Sequence, residues 1–344
     1  MRKRRVMMLV HWDLVPPEDL QDENDPRMEK YGTEFDVRNA LLELGHEVQI
    51  VPVESDIAPI RQVVEKWRPH IAFNLLEDFA GYSALDYYVV SYLDMLHVPY
   101  TGCNPRGLLL ARDKALSKKI LTYHRIKVPT FAVLPYGKKI KKSLVSQLPY
   151  PMIVKSLIEE GSVGIAQASY VTNEDELIQR ADQLFEMLQG DVIAEQYIEG
   201  REIYVTVLGN QRLEVLPFRE LIFGKIHDDM PKMATYKVKW DANYRERWGI
   251  DYDYVRPLPL GMPEQITRLC KRIYRCLDLS GYARMDLRLT EDGQLYLLEA
   301  NPNPAIANIE EVAYAAEKAG YSYEQFIQKI INLGLKATRY YVGT

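Results

Sequence analysis

Between Gly281 and Pro302 the chain reads Gly-Tyr-Ala-Arg-Met-Asp-Leu-Arg-Leu-Thr-Glu-Asp-Gly-Gln-Leu-Tyr-Leu-Leu-Glu-Ala-Asn-Pro, two alternating runs around Asp292-Gly293. An Asp-Gly pair between period-2 runs is a strong local signal for a two-residue type I′ hairpin turn. Such a turn pairs Glu291 with Gln294, and counting outward sets Asp286 opposite Glu299 and Arg284 opposite Asn301. Side chains alternate across a sheet, so these four share one face and leave the leucines free to pack elsewhere. Two carboxylates directly opposite one another repel, so a positive charge must sit between them. Two acids and an Asn amide oxygen form a hard-oxygen set suited to Mg²⁺. The competing reading is a solvated hairpin face on which Arg284 neutralises both acids.

The rest of the chain supplies a scaffold for this hairpin. Val6–Val10, Val48–Val53 and Ile71–Leu75 read as strands, and helical spacing recurs at Leu41–Leu44, Ile60–Trp67 and Leu85–Leu96. Thr33 with Asp36 resembles a capping box and places the first helix start there, with its stop at Gly45. This order predicts an α/β region with an open, Rossmann-like parallel sheet covered by helices. Pro16, Pro17, Pro26 and many carboxylates make Leu14–Tyr31 a long solvated loop. From Thr101 the pattern becomes α+β, with strands at Pro151–Lys155 and Ala168–Val171 and a helix over Glu174–Leu188. A third region opens near Val192 and includes a helix over Gln265–Leu277. The chain thus divides into three domains, 1–100, 101–191 and 192–344, the last carrying the hairpin.

Composition narrows the class. With 344 residues, 47% hydrophobic and 26% charged, the chain is ordinary globular material rather than disordered, collagenous or coiled-coil. Its net charge of -5 speaks against a nucleic-acid partner. The apolar run Val6–Val10 is too short for a signal peptide or a membrane span. Three scattered cysteines, Cys103, Cys270 and Cys276, give no disulfide framework and fit a reducing, cytoplasmic setting. The histidines lack the spacing of a zinc site. Lys155 ends a strand just before Gly161-Ser-Val-Gly164, whose backbone N–H groups can approach phosphates closely. No Gly-Lys-Ser/Thr follows, so the loop is not a Walker A motif. Glu195 and Glu202 flank a strand end, where they can accept from an adenine amine and a ribose hydroxyl; alone, they are ordinary surface acids.

In chain order, Val98-Pro-Tyr-Thr-Gly102, Asp113-Lys114, Ile153-Val-Lys155, Ser162-Val-Gly164, Glu195–Glu202, Tyr236-Lys-Val-Lys-Trp240 and Arg284–Pro304 resemble the motifs of the ATP-grasp superfamily, and within it the D-alanine–D-alanine ligase family. The resemblance covers nearly the whole chain and implies the three-domain ATP-grasp fold, with ATP between the second and third domains. It implies that Lys114 and Lys155 hold the ATP phosphates. Gly161, Ser162, Val163 and Gly164 resemble the flap over the triphosphate, although the family's Gly-Ser-Ser is here Glu160-Gly161-Ser162. Glu195, Gln196, Tyr197 and Ile198 resemble the adenine hinge, with Gln196 for the common Lys, and Glu202 is implied on the ribose. Asp286, Glu299 and Asn301 resemble the ligands of two Mg²⁺ ions that share Glu299. The implied activity is ATP-dependent ligation of a small-molecule carboxylate to an amine. The carboxylate attacks the γ-phosphoryl group, and the amine attacks the acyl phosphate, giving an amide, ADP and phosphate. Arg284 and Lys239 are implied on the phosphoryl oxygens and the oxyanion, with the Ala305 N–H as a donor where the family usually has Gly. A homodimer is implied by the resemblance alone.

Departures from the family bear on substrate. An ungapped count brings Glu310 and Glu311 to the family's Ser-Leu positions, which help bind the carboxylate of the second D-alanine. A carboxylate there repels another. Asn74-Leu-Leu-Glu77-Asp-Phe-Ala-Gly81 replaces the family's His-Gly-x-x-Gly-Glu-Asp-Gly, and Glu34 is the candidate amine-recognising acid near the first strand. The expectation is a second substrate other than D-alanine: an amine, or a cationic or otherwise modified amino acid. The runner-up is D-alanine–D-alanine ligase itself, with Glu310 turned away. An ATP-binding regulatory protein without turnover is a third reading; it would lack a metal ligand or phosphate lysine, and none is missing. A kinase-like transfer to a hydroxyl would use the same nucleotide site.

Overall fold

The computed structural model describes residues 2–20, 22, 25–159, 161–226 and 230–337. The N-terminal apolar run becomes β1 (Arg5–His11), which lies between β2 (Glu47–Val53) and β3 (Ile71–Asn74) in a parallel sheet. Met7 and Leu9 face one hydrophobic cluster, and Val6, Met8 and Val10 another. A strand covered on both faces needs a continuous apolar run rather than an alternating one. The first helix differs from expectation. It starts at Met28 and runs to Glu43, after a turn in which the Asp25 carboxylate accepts from the Arg27 N–H at 2.9 Å. Thr33 and Asp36 lie inside it, and Asp36 accepts instead from the Asn308 N–H at 2.7 Å. The expected loop is correspondingly shorter, and Gln21, Glu23 and Asn24 within it lie outside the described residues.

The second sheet comprises β4 (Phe131–Leu134), β5 (Met152–Ser156), β6 (Tyr170–Val171) and β7 (Val192–Gln196), antiparallel in the order β4-β7-β5-β6. Helix Glu174–Leu188, capped by Asn173, packs Leu177, Ala181 and Leu184 against it.

The third sheet contains β8 (Arg201–Leu208), β9 (Glu214–Val215), β10 (Arg219–Phe223), β11 (Ile250–Tyr254), β12 (Tyr282–Leu289) and β13 (Leu295–Pro302). Its path is β11-β10-β8-β12-β13, with β9 beside β8. Ile203, Val205 and Val207 of β8 and Ala283, Met285 and Leu287 of β12 are fully buried, in one cluster with Ile266, Cys270 and Ile273 of helix Met262–Cys276. The opposite face of β12 is left to the polar residues. Helix Tyr323–Lys336 returns to the N-terminal sheet, where Phe326, Ile327 and Ile330 join Val6, Met8 and Phe73. All three cysteines are free thiols. Among the described residues no helix is long and apolar enough to cross a membrane.

Candidate active site

The hairpin turn is one residue longer than a type I′ turn. The Thr290 carbonyl accepts from the Gly293 N–H at 3.0 Å, and the Thr290 N–H donates to the Gln294 carbonyl at 3.0 Å. Glu291–Gly293 therefore form a three-residue loop whose last residue, Gly293, takes φ +79°. Leu289 then faces Leu295, and Leu287 faces Leu297. Continued regularly, this register pairs Leu298 with Asp286 and Glu299 with the fully buried Met285. Leu298 is instead the extra residue of a β-bulge, beyond which Asp286 faces Glu299 and Arg284 faces Asn301. The expected juxtaposition is present for a different reason: a longer turn and a bulge offset each other. Lys118 Nζ donates to the bulged Leu298 carbonyl at 2.6 Å.

Arg284 does not neutralise both acids. Its Nε and Nη2 donate to Asp286 at 2.7 and 3.0 Å, and Asn301 Nδ2 donates to the same carboxylate at 3.0 Å. Glu299 is met by lysines from other elements, Lys114 at 3.8 Å and Lys155 at 3.7 Å. Lys155, on β5, also reaches Glu195 at 3.1 Å, and the other Glu195 oxygen is 2.9 Å from Lys118. Lys114 is the first residue of helix Lys114–Tyr123, capped by Asp113, and donates to the Glu159 carbonyl at 2.6 Å. Lys118 follows one turn later on the same helix face.

Burial opposes the charged form of Glu299, but Lys114, Lys155, Lys239 and Lys118 together hold its carboxyl below the usual carboxylate range. Glu195 is lowered against its burial by Lys118 and Lys155. For Asp286 burial outweighs the Arg284 pairing and raises it. Burial and Arg284 lower Lys239, against the pull of Asp286 and Glu299. Five cations (Lys114, Lys118, Lys155, Lys239 and Arg284) stand against three carboxylates (Glu195, Asp286 and Glu299) in this cluster. A low-dielectric cleft with such a surplus attracts a polyanion. The opposed carboxylates and the Asn301 amide oxygen fit Mg²⁺ by donor chemistry. The surplus repels a bare cation and admits one that arrives on a polyphosphate.

The cleft is lined by Lys155, Ser162, Glu195, Gln196, Tyr197, Ile198, Glu202, Lys239, Asp286 and Glu299, and by Ile153, Ile165, Met233, Ala234, Arg288 and Leu298. The loop between β5 and β6 roofs it. Gly161, Ser162 and Gly164 take φ +65°, +60° and +73°, and Val163 is exposed between them. Ser162 Oγ donates to the Ala234 carbonyl at 2.7 Å and Trp240 Nε1 to the Gly161 carbonyl at 2.9 Å. The loop is thereby fastened to helix Tyr236–Trp240, which carries Lys239. Glu160 lies outside the described residues.

The remaining sequence candidates fall elsewhere. Ala305 is half-buried on the loop leaving β13. Glu34 lies inside the first helix, 5% exposed, with its carboxyl pushed up to about 8 by burial and by Glu77 and Asp13. Glu34 and Glu77 thus come together beyond the ends of β1 and β3, outside the cleft lining. Glu310 precedes helix Glu311–Lys318, and Glu311 pairs with Arg219 at 2.8 Å. Sequence reading missed Lys118, Arg288 and Arg219. Spacing held a signal for the first two: Lys118 is one helical turn after Lys114, and Arg288 continues the alternation of Arg284 and Asp286.

The family described as D-ala D-ala ligase C-terminus matches residues 122–332. A relative from Sinorhizobium fredii, the uncharacterized protein y4sG, is 30% identical over 319 residues, covering 88% of this chain and 87% of that one. The D-alanine–D-alanine ligase of Syntrophotalea carbinolica is 30% identical over 295 residues, covering 86% and 88%. The crystal structure of D-alanine–D-alanine ligase from Bacillus anthracis complexed with ATP superposes with a TM-score of 0.72 at 22% identity, covering 97% of this chain and 98% of that one. The fold is that of an ATP-grasp enzyme. The chain belongs to the D-alanine–D-alanine ligase family and is an ADP-forming ATP-dependent ligase.

Proposed function

We propose that the chain joins a small carboxylate to an amine through an acyl phosphate, with Mg-ATP in the cleft between 101–191 and 192–344. The observation that carries this reading is the positive surplus around Asp286, Glu299 and Asn301. Lys114 and Lys155 hold phosphate oxygens, and Gly161, Ser162, Val163 and Gly164 cover them. Glu195, Gln196, Tyr197 and Ile198 form the hinge for adenine, against the apolar Ile153, Ile165, Met233 and Leu298. Lys118 and Lys155 engage the Glu195 carboxylate, so the hinge backbone meets the base. Glu202 accepts from the ribose. Asp286, Glu299 and Asn301 would hold two Mg²⁺ ions sharing Glu299, and Mg²⁺ bound there supplies Lewis-acid withdrawal of phosphoryl charge. Arg284 and Lys239 stabilise the phosphoryl oxygens and the oxyanion, with the Ala305 N–H as a further donor. Glu34 and Glu77 face the amine group of the carboxylate substrate. A cytoplasmic homodimer belongs to this reading, supported by family membership alone.

Glu310 and Glu311 favour an amine other than D-alanine as second substrate. D-Alanine–D-alanine ligase itself is the second reading, favoured by the Arg219 pairing, which compensates the Glu311 charge. Incubation with Mg-ATP and pooled amino acids and amines should release ADP and phosphate and yield new amides by mass. AMP and pyrophosphate would refute the reading, because they require attack at the α-phosphorus. Rapid ADP release with D-alanine as sole substrate would select the second reading.

A further inference from the structure

Arg288 takes no part in the reading above, yet it lines the cleft and is 3% exposed. It stands directly across the β12–β8 ladder from Glu202. Its Nη2 donates to Glu202 Oε2 at 2.7 Å, and the Tyr204 hydroxyl donates to Glu202 Oε1 at 2.7 Å. Its Nη1 donates to the carbonyls of Gly200 at 3.0 Å and Lys232 at 3.1 Å. The guanidinium is therefore tied to the turn before β8, to the segment above the cleft and to the Glu202 carboxylate. Arg288 Nε is buried without a hydrogen-bond partner among the described residues.

A carboxylate offers about four lone-pair positions, two per oxygen. Arg288 and Tyr204 take one on each oxygen of Glu202, and each oxygen keeps one. Glu202 lines the cleft, so the held carboxylate presents a pair of adjacent acceptors to whatever fills it. Two acceptors side by side match two adjacent hydroxyl donors, the arrangement of a vicinal diol. A freely rotating Glu would present them in no fixed direction, and a guanidinium with two further anchors removes that freedom.

We propose that Arg288 is the positioning residue that makes this cleft select a ribonucleotide over a deoxyribonucleotide, by holding Glu202 toward both ribose hydroxyls. The inference rests on the nucleotide reading of the cleft. Hydrogen bonds to charged groups set its scale: wild-type chain binds Mg-ATP roughly 10- to 100-fold more tightly than Mg-2′-deoxy-ATP. Arg288→Lys keeps the charge and loses the fork, and brings the ratio of the two affinities to within about threefold. Should that variant fail to fold, Arg288→Gln, which keeps one donor toward Glu202, carries the same expectation. A purely structural Arg288 would weaken both nucleotides equally and leave the ratio unchanged.

Titration calorimetry of the full chain and its variants with the two nucleotides reads these ratios without knowledge of the substrates. Equal affinity of wild type for ATP and 2′-deoxy-ATP overturns the inference alone, as does an undiminished ratio in a folded Arg288 variant. A wild-type chain that binds neither nucleotide overturns the functional reading and this inference with it.

Discussion

Replacing Lys118 by Met removes a side chain that is 2% exposed and engages two groups, Glu195 at 2.9 Å and the Leu298 carbonyl at 2.6 Å. Removing one partner of a buried pair costs about 3–5 kcal/mol, because the other charge stays buried. Lys155, 3.1 Å from the second Glu195 oxygen, remains and places the cost near the lower figure. The orphaned Leu298 carbonyl adds about 1 kcal/mol. The expected loss is about 4 kcal/mol, or roughly 8 °C in melting temperature at about 2 °C per kcal/mol for a chain of this size. Urea unfolding followed by circular dichroism measures it. The double variant Lys118→Met, Glu195→Gln withdraws the stranded charge and should recover about half the loss. A single variant within 0.5 kcal/mol of wild type, or a double variant equal to the sum of the singles, would refute the reasoning.

Glu299→Gln should abolish ADP release while the far-UV spectrum stays native; normal turnover would remove Glu299 from the metal set. The lysines depress the Glu299 pKa, so its contribution to stability is present above about pH 4.5 and is lost as pH falls; the variant should lose less stability on acidification than wild type. Glu34, raised to about 8, has the opposite sign: its burial penalises folding increasingly from pH 4.5 toward pH 8. Glu34→Gln should therefore match wild type near pH 4 and exceed it by about 4 kcal/mol at pH 8 in denaturant titrations. Trp240→Phe loses the bond to the Gly161 carbonyl, and should raise KM for ATP several-fold with melting temperature within 2 °C of wild type, at about 1 kcal/mol per hydrogen bond. An unchanged KM would show that the loop needs no fastening.

Much of the fold was legible because burial leaves periodic marks. The unbroken apolar run of β1 announced a strand covered on both faces, and the alternation from Arg284 to Asn301 announced a polar face over an apolar one. The first helix start was misplaced because Asp25-Pro26 reads as loop punctuation, while the same residues build the turn that begins the helix. The bulge at Leu298 left a single mark, the adjacent Leu297 and Leu298 where a half-buried strand alternates, and such a doublet fits a strand covered on both faces equally well. The roles of Arg219 and Lys118 depend on partners distant in sequence, Glu311 and Glu195, and no local pattern encodes such a pairing. In the site, residue identities could be read along the chain, while the division of charges among them required the fold.

The three-residue loop and the Leu298 bulge also leave this hairpin two places at which its length can change. Deleting Leu298 alone closes the bulge and leaves Leu297 over Leu287 and Glu299 over Asp286, and deleting one residue of the loop leaves Thr290 and Gln294 paired across a two-residue turn. Deleting both likewise keeps Glu299 over Asp286, in a regular hairpin with a two-residue turn. The turn and the bulge can therefore each lose a residue independently without exchanging the strand faces. A chain that keeps this acidic face can differ in length at the turn with no answering change at the bulge.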